Sequence, residues 1–459
     1  VMSKPASSGT KKRQLVLGAF LTRYGHHPGA WRQPETQLGV GPDFASWLHL
    51  ARTAERGKFD TVFLADFVGM GGDDLSSYEK GAGFHGFEPL SLISALAAAT
   101  THVGLVATVN TNFSHPYTLA RTMASIDHLS GGRVGWNVVS SLSPGSIATF
   151  GVHDPLDHAA RYDRASEFID VAKKLWDSWD DDAFDHPDKS SGRFLSADQG
   201  HPVHHHGTYF DVDAVLDLPR PVQGYPVFVQ AGNSDTGRDF SARHAEMIYA
   251  AAQFVEDAKD YYDDVKGRLA RWGRSPDQLK ITPGLSFSIG RTEEEAHEKF
   301  ERLQGAVNFS GPVELMGVDL TGYPLDGPLP TDIPVPENGK GRWAQVVRLA
   351  EREKLTIRQL VLRYNVVRGH RVVIGTPAQV ADQIEDWFLK GVVDGFNLIS
   401  PLNPAFLEEF VDLVVPELQR REIFRTEYEG KTLRDRLNLP RPANQHSRLV
   451  EKAREAVQA

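Results

Sequence analysis

The sequence predicts an α/β fold: a single (β/α)8 TIM barrel carrying insertions. Three observations lead there. Apolar runs of strand length alternate with amphipathic helical patterns from Leu15 almost to the end, about eight of each. The runs are apolar on both faces, as parallel strands covered by helices must be, and they end in polar residues. The length, 459 residues, suits one such barrel with insertions and is ample for a large core.

The first run is LVLGAF (Leu15–Phe20). The segment Phe44–Phe59 then sets Trp47, Leu50, Ala51 and Ala54 on one helical face, with Asp43 as a cap and Gly57 near the stop. TVFLAD (Thr61–Asp66) is a strand apolar on both faces until it terminates in an acid. The alternation continues through the helix LSLISALAAAT, the strand VGLVATVN, the helix YTLARTMASIDHL, the strand RVGWNVVS and the helix RYDRASEFIDVAKKLWDSW. YPVFVQAG (Tyr225–Gly232) is followed by a helix through Arg243, the weaker strand AEMIYAA and a helix around Tyr261–Trp272. KITPGLSFSIG follows, then GFNLIS (Gly395–Ser400) as the last strand and a helix over Pro404–Arg421. This reading makes one domain of residues 15–439, with an N-terminal arm at 1–14 and a tail at 440–459, an arm or a disordered end. Two stretches break the rhythm. Residues 180–221 are rich in His, Asp and Pro and read as an insertion with a hairpin near Tyr209–Val212. Residues 310–342 are rich in Pro and Gly and read as a long loop at the barrel mouth, which with the loop Gly69–Phe87 could act as a lid.

Composition narrows the function. There is no cysteine, which excludes disulfides, thiolate metal sites, iron–sulfur clusters and cysteine nucleophiles, and fits a reducing cytoplasm. The net charge of -10 argues against nucleic-acid and membrane-surface binding, since both need a basic face. No apolar run nears the roughly 20 residues of a membrane helix. His204-His205-His206, after His201, lacks metal-ligand spacing and reads as hairpin scaffolding, so no metal is expected. No glycine pattern completes a dinucleotide fingerprint.

Chemistry in such barrels sits at the carboxyl ends of the strands. Those ends carry Asp66, then Thr108, Asn110 and Asn112, then Asn137, Ser140 and Ser141, then Gln230, Gly232, Asn233 and Ser234. Any one of these makes a turn; several converge on one mouth. His158 and Tyr162 project to one side of the following helix's first turn, with Arg161 a rival. The pair suits a phosphate at a helix N-terminus, and equally a cap and a packed ring. Ser234 reads as an N-cap or a phosphate ligand. His26 and His27, in the first loop, would lie over the mouth.

These residues sit in motifs with a family context. GHHPGAWR, ERGKFDTVFLAD, SIDHLSGGRVGWNVVSS, HAARYDRASEFIDVAKKLWDSW, HHGTYFDV, PVFVQAGNSDTGRDFSARHAE, IGTPAQVADQI and VPELQRREIFRTEYEGKTLRDRLNL occur in order between Leu15 and Leu439. Together they resemble the luciferase-like two-component FMN-dependent monooxygenases, the group of nitrilotriacetate, dibenzothiophene-sulfone and long-chain alkane monooxygenases. The resemblance implies a luciferase-like TIM barrel, bound FMN in its reduced form (FMNH2), dioxygen, flavin C4a-peroxide chemistry on a small organic substrate, and a homodimer or homotetramer. It implies a separate NAD(P)H-dependent flavin reductase, which would account for the missing nicotinamide fingerprint. Carried over by motif, the cofactor contacts are Asp66, Thr108, Ser141, His158, Tyr162 and Ser234. His26 and His27, from their place over the mouth, are the catalytic candidates, with shaping of the loop as the alternative. Leu142 stands where some members carry a polar or imidazole side chain, so that position brings no catalytic role here. Two other functions remain open on the same barrel: deazaflavin-dependent hydride transfer, and flavin binding without turnover.

Overall fold

The computed structural model describes residues 13–36, 43–69, 86–307, 309, 313–316, 318–333, 335, 340–367 and 369–447. Eight parallel strands form the central sheet: β1 (Val16–Phe20), β2 (Thr61–Leu64), β3 (Gly104–Asn110), β4 (Val134–Val139), β5 (Val227–Gln230), β6 (Met247–Ile248), β7 (Lys280–Ile281 and Gly284–Ile289) and β8 (Gly395–Ile399). Each pairs with the next, and β8 returns to β1 with Val16 opposite Gly395 and Phe20 opposite Ile399. The ring closes through β7. Its first piece pairs with β6, and its second with β8. The β1–β8 seam is tight enough to require glycine at 395, where a Cβ would stand 1.8 Å from the Val16 carbonyl oxygen. All eight predicted strands are present.

Helices cover the outside: α1 (Phe44–Arg56), α2 (Pro89–Ala99), α3 (Pro116–Ser130), α4 (His158–Trp176), α5 (Asp235–His244), α6 (Val255–Arg268) and α7 (Glu293–Gly305) follow β1 to β7. Asp43 caps α1 through the Ala45 N–H, as its sequence position suggests. The apolar stripe of α4, Ala165, Phe168, Ile169, Ala172, Leu175 and Trp176, is buried against the sheet. Inside the barrel a separate core joins Val16, Phe63, Val106, Val229, Met247 and Ile399 to Leu433, Leu437 and Leu439, which plug it from below.

That lower face is held by charge. Asp60, Glu246 and Asp394 each stand one residue before a strand and each accept the backbone N–H of a residue in the preceding strand. Asp60 takes Leu17 N–H at 2.9 Å, Glu246 takes Phe228 N–H at 3.2 Å, and Asp394 takes Ile281 N–H at 2.9 Å. Arg425 pairs with Asp60 at 2.6 Å, Lys266 with Asp394 at 3.0 Å, and Arg434 with Glu246 at 2.6 Å.

Three regions differ from or add to the sequence reading. Between α7 and β8 lies more than a loop: helices Lys340–Glu353 and Ile357–Val367 share a small core of their own with Leu315, Leu320 and Trp343. A ninth parallel strand, Arg371–Gly375, pairs with Gly284–Ile289, and the helix Pro377–Leu389 leads from it to β8. The insertion after α4 forms the hairpin Val203–His206 with Asp211–Ala214. In it His204 meets Asp213, His205 meets Glu167 and His206 meets Asp211. Among the described residues no group of three His, Cys, Asp or Glu side chains is arranged to hold a metal. The chain beyond Leu439 runs back over this insertion, where Asn444 is 2% exposed and donates to the Trp179 carbonyl at 2.8 Å. Most of the loop Gly69–Phe87 and all of residues 1–12 lie outside the described residues. No helix among those described is long and apolar enough to cross a membrane.

Arg434 is 1% exposed and grips both Glu246 oxygens, at 2.6 and 2.8 Å, and the Tyr225 carbonyl at 3.0 Å. Arg434→Met should therefore destabilise the chain by about 3–5 kcal/mol, because it strands a part-buried carboxylate. Denaturant unfolding of the two chains measures it, and a loss below 1 kcal/mol would contradict this account.

Candidate functional site

A cavity of ≈ 510 Å³ opens at the carboxyl ends of the strands. Most of its residues come from the ends of β1 to β6 and from the start of α4, so their positions are set by a strand or by the turn that follows one; Tyr261 of α6 and His370 complete the lining. Asp66, Thr108, Ser141, His158 and Tyr162 all line it. Ser234 stands at its edge, with Oγ 3.5 Å from His158 Nε2. Six residues chosen from five separate motifs therefore meet in one place.

One end is built for an anion. His158 and Tyr162 lie one turn apart at the start of α4, with ring centroids 5.1 Å apart. Ser234 caps α5, its Oγ accepting the Gly237 N–H at 3.1 Å. Gly237 is required there, since a Cβ would come within 2.9 Å of the Tyr162 hydroxyl. Two helix N-termini thus converge beside three polar side chains, and first-turn N–H groups favour negative charge. Arg161 also lines the cavity.

Deeper in, Asn137 donates to Thr108 Oγ1 at 2.9 Å, while its own Oδ1 is buried with no hydrogen-bond partner among the described residues. Such an orphan in a cavity wall is an acceptor waiting for a donor. Asp66 is half-buried, and burial, with Glu88 nearby, pushes its carboxyl above the ordinary range. Gln230 is held by the Ser241 hydroxyl at 2.8 Å, and Tyr261, whose pKa is raised by burial, donates to the Gly232 carbonyl at 2.9 Å. Asn110 and Asn112 do not reach the cavity. They shape its rim by donating to the Ser141 and Ser140 carbonyls, at 2.7 and 2.8 Å.

His26 and His27 are not among the lining residues. His26 Nε2 lies 2.9 Å from the Phe20 carbonyl, and its ring sits edge-on to Phe20, which does line the cavity. His27 turns the other way. It is 2% exposed, accepts the Gly29 N–H at 2.9 Å through Nδ1, and faces Phe300 of α7. Tyr249 and His370 line the cavity without having been singled out in the sequence. Tyr249 ends a weak strand, a usable signal; His370 comes from the insertion before β8, where nothing in the local pattern points to the mouth.

A family model described as luciferase-like monooxygenase matches residues 22–394. The chain belongs to the luciferase-like monooxygenase family. Nitrilotriacetate monooxygenase component A of Aminobacter aminovorans is 44% identical, over 94% of this chain and 98% of that protein. N-acetyl-S-(2-succino)cysteine monooxygenase of Bacillus subtilis is 41% identical, over 96% of this chain and all of that one. The crystal structure of the riboflavin lyase RcaE, with modified FMN and riboflavin, superposes with a TM-score of 0.80 at 31% identity, over 94% of this chain and 97% of that chain. As a luciferase-like monooxygenase the protein is an oxidoreductase of the flavin-dependent class, on the barrel the family shares.

Burial lowers the His27 pKa from 6.5 to about 4. The unfolded chain takes up a proton near 6.5 that the folded chain refuses until about 4, so stability present above that window is lost as pH falls through it. His27→Gln should flatten this decline. Urea midpoints measured from about pH 7 down to about pH 5 test it, and an equal pH slope in both chains would refute it.

Proposed function

We propose that this cavity binds FMN, in its reduced form, and that the chain is the oxygenase component of a two-component monooxygenase acting on a small organic substrate. The observation that carries the reading is the anion cradle of His158, Tyr162 and Ser234, opening onto a wall with an orphaned acceptor at Asn137. The residues fit the group: one phosphate-sized site, hydroxyl and amide partners beyond it, and an apolar far wall. Among the described residues the cradle offers one phosphate site and no second for a pyrophosphate, which favours FMN over FAD.

Each residue then has a task. His158, Tyr162 and Ser234 hold the phosphate with charge-assisted hydrogen bonds. The Thr108 hydroxyl, its oxygen already engaged by Asn137, directs its own proton into the cavity, and Asn137 Oδ1 accepts one in return. Phe20, Phe63 and Tyr249 line the far end and exclude water. Bound reduced flavin supplies the two electrons that activate dioxygen.

A separate NAD(P)H-dependent flavin reductase delivers the reduced FMN. The 44%-identical relative is named as a component A, which supports a divided system. The names of the two relatives each specify a carboxylate-bearing compound, nitrilotriacetate and N-acetyl-S-(2-succino)cysteine, and these are the first substrates to assay.

Two measurements test the reading. Flavin fluorescence titration should show FMN binding more tightly than FAD, and Tyr162→Phe with His158→Ala should weaken FMN by about 2–4 kcal/mol. Equal affinity for FAD, or an unchanged double variant, would sink the cradle. Second, oxygenation should require an added flavin reductase, and NAD(P)H with oxidised FMN and the purified chain alone should yield no product. NAD(P)H oxidation at enzymatic rates by this chain would refute the divided system, and turnover of a deazaflavin would point to hydride transfer instead.

A further inference from the structure

The cavity has two unlike ends. Opposite the anion cradle stand three aromatic rings: Phe20 lies 5.0 Å from Phe63 and 5.5 Å from Tyr249, and Phe63 lies 5.3 Å from Tyr249, centroid to centroid. His370 joins them, and no barrel strand supplies it. It precedes the strand Arg371–Gly375, whose pairing with β7 sets Arg371 opposite Leu285 and so returns the insertion to the mouth. Gly369, at φ 85°, turns the chain into it. The imidazole is wedged in place. It stacks on Tyr249 at 5.2 Å and 17°, and it lies against β7 at Gly284, where a Cβ would stand 2.4 Å from Nδ1.

Two histidines line the cavity among the described residues. His158 belongs to the cradle. His370 is the imidazole that lines the aromatic end; His26 packs edge-on against Phe20 without lining the cavity, and His27 faces Phe300.

We propose that His370 is the catalytic acid of the oxygen reaction. This rests on the FMN reading above, with the phosphate in the cradle and the ring toward the aromatic end. The chemistry consumes a proton, which a side chain at the ring can deliver. Reduced flavin anion, dioxygen and substrate S balance only with one added proton: FMNH− + O2 + S + H+ → FMN + SO + H2O. Two electrons pass from flavin to dioxygen, the O–O bond breaks, one oxygen bonds to S and the other leaves as water. Without substrate the same proton is needed: FMNH− + O2 + H+ → FMN + H2O2. The His370 imidazolium gives that proton. It leaves from Nε2, since Nδ1 is closed in against β7, and solvent at the mouth restores it. Imidazole is the side chain suited to give and regain a proton near neutral pH.

The test needs no organic substrate. The holoprotein, loaded anaerobically with reduced FMN and in excess over it, is mixed with dissolved oxygen, and the return of oxidised flavin absorbance is followed. His370→Ala should slow that return by about 10²-fold while oxidised FMN binds with unchanged affinity in a fluorescence titration. Added imidazole, filling the space left beside Gly284, should restore the rate. His370→Gln, which keeps a donor but cannot give up a proton, should stay slow. An unchanged rate in His370→Ala, or a slow rate that imidazole does not move, overturns the assignment and leaves His370 as a wall of the cavity. Failure of the wild-type chain to bind FMN would remove the FMN reading itself, and this proposal with it.

Discussion

Beneath the barrel an acid precedes β2, β6 and β8, and each reaches back to a backbone N–H of the strand before it. The need for such clamps follows from the ladder. β6 has two residues, so its pairings to β5 and to β7 hold two residue pairs each, too few to resist the twist that closes a ring. Glu246 adds a side-chain bond at the β5–β6 seam, and Asp394 ties the piece of β7 that pairs with β6 to the start of β8. Buried carboxylates are tolerated only with cations beside them. Arg434, Arg425, Lys266 and Arg13 supply the charge, and the Asp60 carboxyl, fully buried, is still pushed upward by desolvation despite Arg425.

The site depends on that closure. Most of its residues stand at the ends of β1 to β6 and on the first turns of α4 and α5, so these cannot move without their strands. Asn137 reaches Thr108 because β3 and β4 are in register at those two positions. The cradle forms because two helices begin beside each other at the top of adjacent strands, and Gly237 leaves a gap where any side chain would fill it. The lower face is charged and rigid, while the upper face is left free for polar groups with unspent hydrogen bonds.

Much of this was legible in the order of residues. Buried parallel strands show as apolar runs, and a polar residue at the end of each marks the mouth, so the eight strands and the residues from Asp66 to Ser234 could be read directly. The family motifs pointed to a flavin where geometry alone left an anion. The insertion before β8 was harder. RVVIG is only half-buried and starts beside His370 and Arg371, and its neighbouring helices lie among proline and glycine, so the local pattern reads as loop. Which way a loop histidine turns is a tertiary matter: His27 and His370 look alike in sequence, and packing sends one under α7 and the other to the aromatic end. The clamps escaped notice too, because a single acid before an apolar strand is unremarkable until its neighbour strand is known.

The inner plug has a consequence for how the chain is made. The core inside the barrel is completed by Leu433, Leu437 and Leu439, and the ring itself joins the first strand to the last. A ribosome emits these partners some 400 residues apart, so β1 leaves the exit tunnel with an unmatched edge and an open interior beneath it. Contacts of such long sequence separation form slowly. The nascent barrel must therefore wait, apolar inside and with one edge of β1 open, until β8 and the segment from Leu433 to Leu439 have been synthesised. Chaperone dependence, and failure of C-terminally shortened forms to accumulate, are properties that this architecture brings with it.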